Sequence, residues 1–134
     1  MYAFDSRIRY SETDSEGKLT LNALLNYFQD CSTFHSEDVG LGIGYMKEIG
    51  QAWVLSSWQV RVDEMPYLAD EIHVQTWAYD FKGFYGYRNF ALNNAVAHGC
   101  HNETVFTLSL NIKNIADIKG KNISRTWFCN KNQV

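Results

Sequence analysis

Hydrophobic residues recur along this chain with two periods, and the points where the period changes mark out its elements. Phe4, Ile8 and Tyr10 fall at even spacing, which predicts a short first strand over residues 4–10. The stretch Ser11-Glu-Thr-Asp14-Ser-Glu-Gly17 is polar and ends in glycine, so it reads as a loop. Thr20 follows as a helix N-cap. From Leu21 the spacing turns helical: Leu21, Leu24, Leu25, Phe28, Cys31 and Ser32 share one face, with Ala23, Tyr27 and Phe34 on a neighbouring one. Apolar positions over that much of the circumference predict a helix buried on most sides, ending before Gly40. A shorter helical piece is expected over residues 45–49.

After Gly50 the period becomes two. Trp58, Val60 and Val62 alternate with Gln59, Arg61 and Asp63, and Pro66 ends that run. Ile72, Val74, Thr76 and Ala78 alternate with His73, Gln75, Trp77 and Tyr79. Residues 84–92 and 104–112 form the last two runs, with Asn93 and Asn94 as the expected turn between them, since asparagine tolerates positive φ. The order is strand, long helix, four strands. An apolar helix followed by strands predicts an α+β domain: one long central helix wrapped by a curved antiparallel sheet.

Composition narrows the class. At 134 residues the chain suits a single domain, and 15% aromatic residues exclude disorder. Five cations against one acid give residues 111–134 a charge of +4, so the rest carries −7 of the net −3. This divides the chain into a domain over residues 1–113 and a basic Lys/Asn-rich tail over 114–134. Two readings of the tail stay open, an arm for an acidic partner and a solvated, frayed terminus. The negative balance argues against nucleic-acid binding. Cys31, Cys100 and Cys129 lack metal-type spacing, so neither a metal nor a cofactor is expected. Asp5, Arg7 and Arg9 interrupt any apolar run at the start, and no stretch reaches the ~20 apolar residues of a membrane span. The expectation is a soluble, cytoplasmic protein.

Several segments resemble a known family. Tyr10-Ser-Glu-Thr-Asp14-Ser-Glu-Gly17 is similar to the opening loop of hotdog-fold thioesterases of the 4-hydroxybenzoyl-CoA thioesterase group. Tyr27-Phe-Gln-Asp-Cys-Ser-Thr-Phe-His-Ser-Glu-Asp38, Ala52-Trp-Val-Leu-Ser-Ser-Trp58 and residues 76–90 resemble the acyl-acyl-carrier-protein (acyl-ACP) thioesterases. The resemblance covers residues 4–92, in order, and weakens from Asn93 onward. It implies a single hotdog domain binding a fatty-acyl thioester of acyl carrier protein or CoA, with a homodimer closing the open sheet edge. Members of the family carry two hotdog repeats. This chain resembles the first, whereas the family's catalytic residues are generally placed in the second.

The resemblance also suggests where chemistry would sit. Thioester hydrolysis needs a base for water and donors for the developing oxyanion. In single-domain relatives an aspartate before the central helix supplies the base and the helix N-terminus supplies the donors. Asp14 matches that aspartate, and the amides around Leu21 and Asn22 the donors. For Asp14 an Asx-turn that merely shapes the loop stands equally beside the catalytic reading. The glycine of such loops is commonly followed by histidine and asparagine, whereas Gly17 is followed by Lys18, Leu19 and Thr20. That departure fits a repeat that binds the acyl chain without performing the chemistry.

Other residues carry weaker signals. His35 and Glu37 near the helix end could form a second acid/base pair, but two positions apart on a helix they face different ways and read instead as a hydrogen-bonded inner residue and a solvated one. Cys31 is mid-helix without an activating partner, against a papain-like role. Trp53, Trp58, Trp77, Phe84 and Tyr85 could line a slot for an alkyl chain or be plain core, and a buried methylene contributes ~0.8 kcal/mol. Lys82 and Arg88, beside Gly83 and Gly86, could meet phosphopantetheine or carrier protein, or be surface charge. Three functions follow in order: an acyl-ACP thioesterase-type hydrolase of fatty-acid biosynthesis, a non-catalytic acyl-binding half needing a second hotdog domain, and a hotdog dehydratase.

Overall fold

A computed structural model describes residues 1–82, 85–94 and 104–114, with backbone alone for Ser56, Lys82, Tyr85 and 104–114. Five strands, β1 (Tyr2–Arg7), β2 (Gln51–Gln59), β3 (Glu71–Lys82), β4 (Tyr85–Asn94) and β5 (Thr104–Asn114), form one sheet. Their order is β1-β3-β4-β5-β2, with every pairing antiparallel. Helix α1 (Leu21–Asp38) packs on one face of it, and the short α2 (Ile43–Glu48) leads into β2. This is the hotdog arrangement, a long helix held against an antiparallel sheet.

Alternation builds that face. Ile72, Val74 and Thr76 of β3 and Phe90 and Leu92 of β4 are all buried and point at the helix. Ala23, Leu24, Tyr27, Phe28 and Cys31 answer from α1. Phe28 and Phe90 are both fully buried, ring centroids 5.1 Å apart, and Trp58 from β2 packs tilted against Phe90 at 6.1 Å. Each such ring contributes roughly 1.5–3 kcal/mol by leaving water.

Thr20 caps α1 as expected, its hydroxyl accepting the Ala23 amide at 3.2 Å. The helix is less enclosed than its sequence suggests. Asn22, Asn26, Asp30 and Glu37 are exposed, and Leu21 and Phe34, counted as inward, are 42% and 44% exposed. The sheet covers one side of the helix, and the polar positions at four-residue steps form a wet flank.

Several boundaries move. β1 ends at Arg7, because Tyr10 opens a 3₁₀ turn (Tyr10–Glu12) instead of continuing the strand. α2 starts and ends slightly earlier than expected. β2 begins at Gln51 and stops before Val60, so Val60 and Val62 follow the strand instead of forming it. A register shift between Leu55 and Ser57 explains the misreading. It brings Trp53, Leu55 and Trp58 onto one face, opposite Ile112, Leu110 and Leu108, which strict alternation forbids. Asn93 and Asn94 are not a turn: they pair with His73 and Ile72, and Asn94 donates to Asp70 at 2.9 Å. Gly83, Phe84, Cys100, Cys129 and residues 115–134 lie outside the described residues.

Candidate functional site

The loop before α1 is a miniature hairpin. Thr13 bridges Leu19, the Asp14 amide donates to the Lys18 carbonyl at 2.9 Å, and the Gly17 amide to the Asp14 carbonyl at 3.0 Å. Gly17 has φ +77°, a left-handed conformation that glycine takes without strain. The Asp14 carboxylate, exposed, accepts the Glu16 amide at 2.8 Å and the Lys18 amide at 3.1 Å, both on Oδ1. That is an Asx-type turn. The loop is fastened to the segment before β3 by Leu19 donating to Pro66 and Leu68 donating to Gly17, each at 2.8 Å.

Lys18 reaches Glu16 at 3.1 Å, and this hydrogen bond holds its ammonium above the ordinary lysine range, so it is no base near neutral pH. Leu21 and Asn22 stand at the first turn of α1 with exposed side chains. Their amides belong to the group an α-helix leaves without intrahelical partners, at its positive dipole end.

The remaining candidates gather at the other end of α1, about 20 Å away at 1.5 Å per residue. Arg88 Nη1 donates to Thr76 Oγ1 at 3.2 Å and lies 2.8 Å from His35 Nδ1. The Thr76 hydroxyl donates to the Asn89 carbonyl at 3.0 Å. A guanidinium only donates, so His35 Nδ1 is the acceptor and the imidazole is neutral, with its proton on Nε2. Burial lowers the His35 pKa, and the Arg88 cation lowers it further. Tyr2 stacks on the imidazole at 5.8 Å between centroids.

Burial also lowers the Arg88 pKa, and among the described residues no carboxylate forms an ion pair with it. Glu37 does not join His35; its carboxylate accepts the Ile43 amide at 3.0 Å. Burial pushes the Cys31 thiol up to about 12, which removes it as a nucleophile.

The aromatic candidates divide. Trp53 and Trp58 share the helix-facing side of the sheet with Arg88. Trp77, next to the inward Thr76, points to the opposite face and joins no common slot with them. Lys82 and Tyr85 pair across β3 and β4 through their backbones. In β4, a Cβ on Gly86 would stand 3.0 Å from Phe81 Cε1 and 3.5 Å from Trp53 Cζ3. The bare backbone lets both rings lie over the strand. Trp53 Nε1 is buried with no hydrogen-bond partner among the described residues. Thr76 and Phe81 were missed, although a threonine on the inward phase of a strand signals a buried hydroxyl needing a partner.

A family model, the acyl-ACP thioesterase N-terminal domain, matches residues 1–119. No curated protein matches the chain in sequence. Among solved structures, an acyl-ACP thioesterase from Bacteroides thetaiotaomicron superposes with a TM-score of 0.76 at 28% identity, over 86% of this chain and 46% of that one. A Lactobacillus plantarum protein described as an oleoyl thioesterase gives 0.80 at 20% identity, over 87% and 44%. A DHNA-CoA thioesterase from Staphylococcus aureus gives 0.74 at 14% identity, over 86% and 75%. The last two likenesses are of fold. The chain spans less than half the length of the first two structures. Among the described residues no helix is long and apolar enough to cross a membrane.

Proposed function

The chain belongs to the acyl-ACP thioesterase family, and from that premise we propose that it binds the fatty-acyl chain of an acyl-ACP or acyl-CoA thioester. A second hotdog domain supplies the groups that activate water and release the fatty acid in fatty-acid biosynthesis. The observation that carries this division is the Asp14 carboxylate. Its Oδ1 serves two amides of its own loop, and the neighbour at the histidine position, Lys18, is a cation paired with Glu16. A loop so built holds its shape and lacks a neutral proton acceptor at that place.

The helix-facing side of β2 and β4, with Trp53, Trp58 and Gly86, is the surface offered to the alkyl chain. The second domain, or a second copy of this chain in a cytoplasmic homodimer, docks where β1 or β2 leaves a sheet edge unpaired among the described strands.

The test is thiol release from a panel of acyl-ACP and acyl-CoA thioesters, with acyl binding and oligomeric state measured on the same sample. Saturable binding without turnover is expected. Turnover by this chain alone overturns the division of labour. It would favour the second reading, a hydrolase in which Asp14 acts with the amides of Leu21 and Asn22, for which the nearness of that loop to the helix start speaks.

A further inference from the structure

We propose that Arg88, with His35 and Thr76, binds the carboxylate of a free fatty acid, whose tail lies across the Phe81 and Trp53 rings that cover Gly86 of β4. The inference rests on the acyl-binding reading above and adds to it a polar head-group site, which makes the released product itself a ligand. Its starting point is a charge without a counter-charge among the described residues. The Arg88 guanidinium sits on the helix-facing side of the sheet between the buried Phe90 and Gly86, and its described partners are a neutral imidazole and a hydroxyl. A cation withdrawn from water this way is stabilised by an anion, and a guanidinium fits a carboxylate with two parallel hydrogen bonds.

The surroundings select the class of anion. On one side the row leads to the fully buried Phe90, with the partly buried Trp58 packed tilted against it, which is filled core. On the other it leads to Gly86, where the missing Cβ leaves Phe81 and Trp53 over the strand, Phe81 being 62% exposed. A ligand that is anionic at one end and apolar along the rest matches this sequence of surfaces, whereas a free phosphate matches the guanidinium alone.

His35 adds a signature that plain hydrophobic binding lacks. The charged and titratable groups around it among the described residues are Arg88 from β4, Tyr2 from β1 and the Met1 amino group just before it, and Cys31 and Asp38 from α1 itself; the described part of β3 contributes the Thr76 hydroxyl. Without ligand, burial first, and then Arg88 and the amino terminus, oppose a second positive charge, and His35 stays neutral. A carboxylate on Arg88 offsets the Arg88 share of that opposition, so binding is coupled to proton uptake by His35. Affinity for the carboxylate then rises as pH falls through the histidine range, by at most about tenfold per pH unit for one proton.

The test titrates the full chain with laurate, with dodecanol and with inorganic phosphate, reading tryptophan fluorescence between about pH 8 and about pH 6. Expected are laurate binding at least about tenfold tighter than dodecanol at neutral pH, and tightening of laurate alone as pH falls. Arg88→Met should abolish the preference for laurate and Arg88→Lys should retain part of it. His35→Gln should keep the preference and flatten its pH dependence. Equal affinity for laurate and dodecanol in the wild type, or displacement of laurate by millimolar phosphate, overturns the head-group site and leaves the acyl-binding reading standing. Binding of neither laurate nor dodecanol overturns that reading as well. The wild-type comparison needs no variant to fold.

Discussion

Replacing Asp14 by asparagine and by alanine separates a catalytic aspartate from one that shapes a loop. Oδ1 accepts two backbone amides, at 2.8 and 3.1 Å, in an exposed loop. Net contributions of about 0.5–1.5 kcal/mol per hydrogen bond, taken at the low end for solvent exposure, put Asp14→Ala at about 1–2 kcal/mol less stable. Asparagine keeps a carbonyl acceptor in the same place and removes the charge, so Asp14→Asn should cost less than about 0.5 kcal/mol. For a domain of this size that is a fall in Tm of ~4–8 °C for alanine and ~2 °C or less for asparagine. Urea and thermal unfolding followed by tryptophan fluorescence measure both, and thiol release from acyl thioesters is recorded on the same preparations. The loop-shaping account predicts a stability difference between the two variants and no difference in thioester chemistry. If the wild-type chain releases thiol and Asp14→Asn, equally stable, does not, the account is refuted and Asp14 is the base.

Two further outcomes follow from the packing and the charges. Phe90→Ala should cost about 3–5 kcal/mol, because a fully buried ring touching both Phe28 and Trp58 leaves a cavity the sheet cannot close; a loss under about 1 kcal/mol by chemical denaturation would show that α1 and β2 are not clamped through this residue. His35 has a folded-state pKa below its unfolded value, from burial and from Arg88. The unfolded chain therefore takes up its proton first, and the contribution of His35 to stability, complete above about pH 6.5, is lost as pH falls from there to the lowered value. His35→Gln should flatten the stability profile in that window, and a profile identical to wild type would show that the histidine does not titrate there.

Much of the fold is legible because period and element coincide. Thr20 is followed by a helix-spaced apolar run, and β3 alternates without interruption from Ile72 to Ala78, so cap, helix and strand all fall out of spacing alone. The misreadings have one physical source, that pattern reading assumes constant phase. A register shift at Leu55 to Ser57 rotates the strand, bringing Trp53 to the face of Trp58 and hiding the true limits of β2. The paired asparagines show the complementary error. Asn93 and Asn94 have turn chemistry, yet the ladder to His73 and Ile72 and the bond from Asn94 to Asp70 hold them extended. The wet flank of α1 was also present in the sequence, as Asn22, Asn26 and Asp30 at steps of four, but it was outweighed by apolar residues on either side.

The site was less legible, since it depends on residues distant in sequence meeting across the sheet. His35 and Arg88 are each unremarkable alone; only the placement of α1 on β3 and β4 brings them into direct contact, with Thr76 beside Arg88. That junction changes what the candidate residues mean. The loop of Asp14 and the cluster of Arg88 stand at opposite ends of one helix, about 20 Å apart, so they cannot act on the same atom. A thioester carbonyl held near the helix start would leave Arg88 to the distant part of the ligand, whereas a carboxylate held by Arg88 would place the head group far from Asp14. A single chain can offer both ends, but one ligand molecule presents its polar group to only one of them. The contest between laurate and dodecanol therefore also decides the direction in which the tail lies. A marked preference for the carboxylate that vanishes in Arg88→Met puts the head group at the C-terminal half of α1, and the reactive thioester then belongs to a different bound orientation from the one in which the free acid rests.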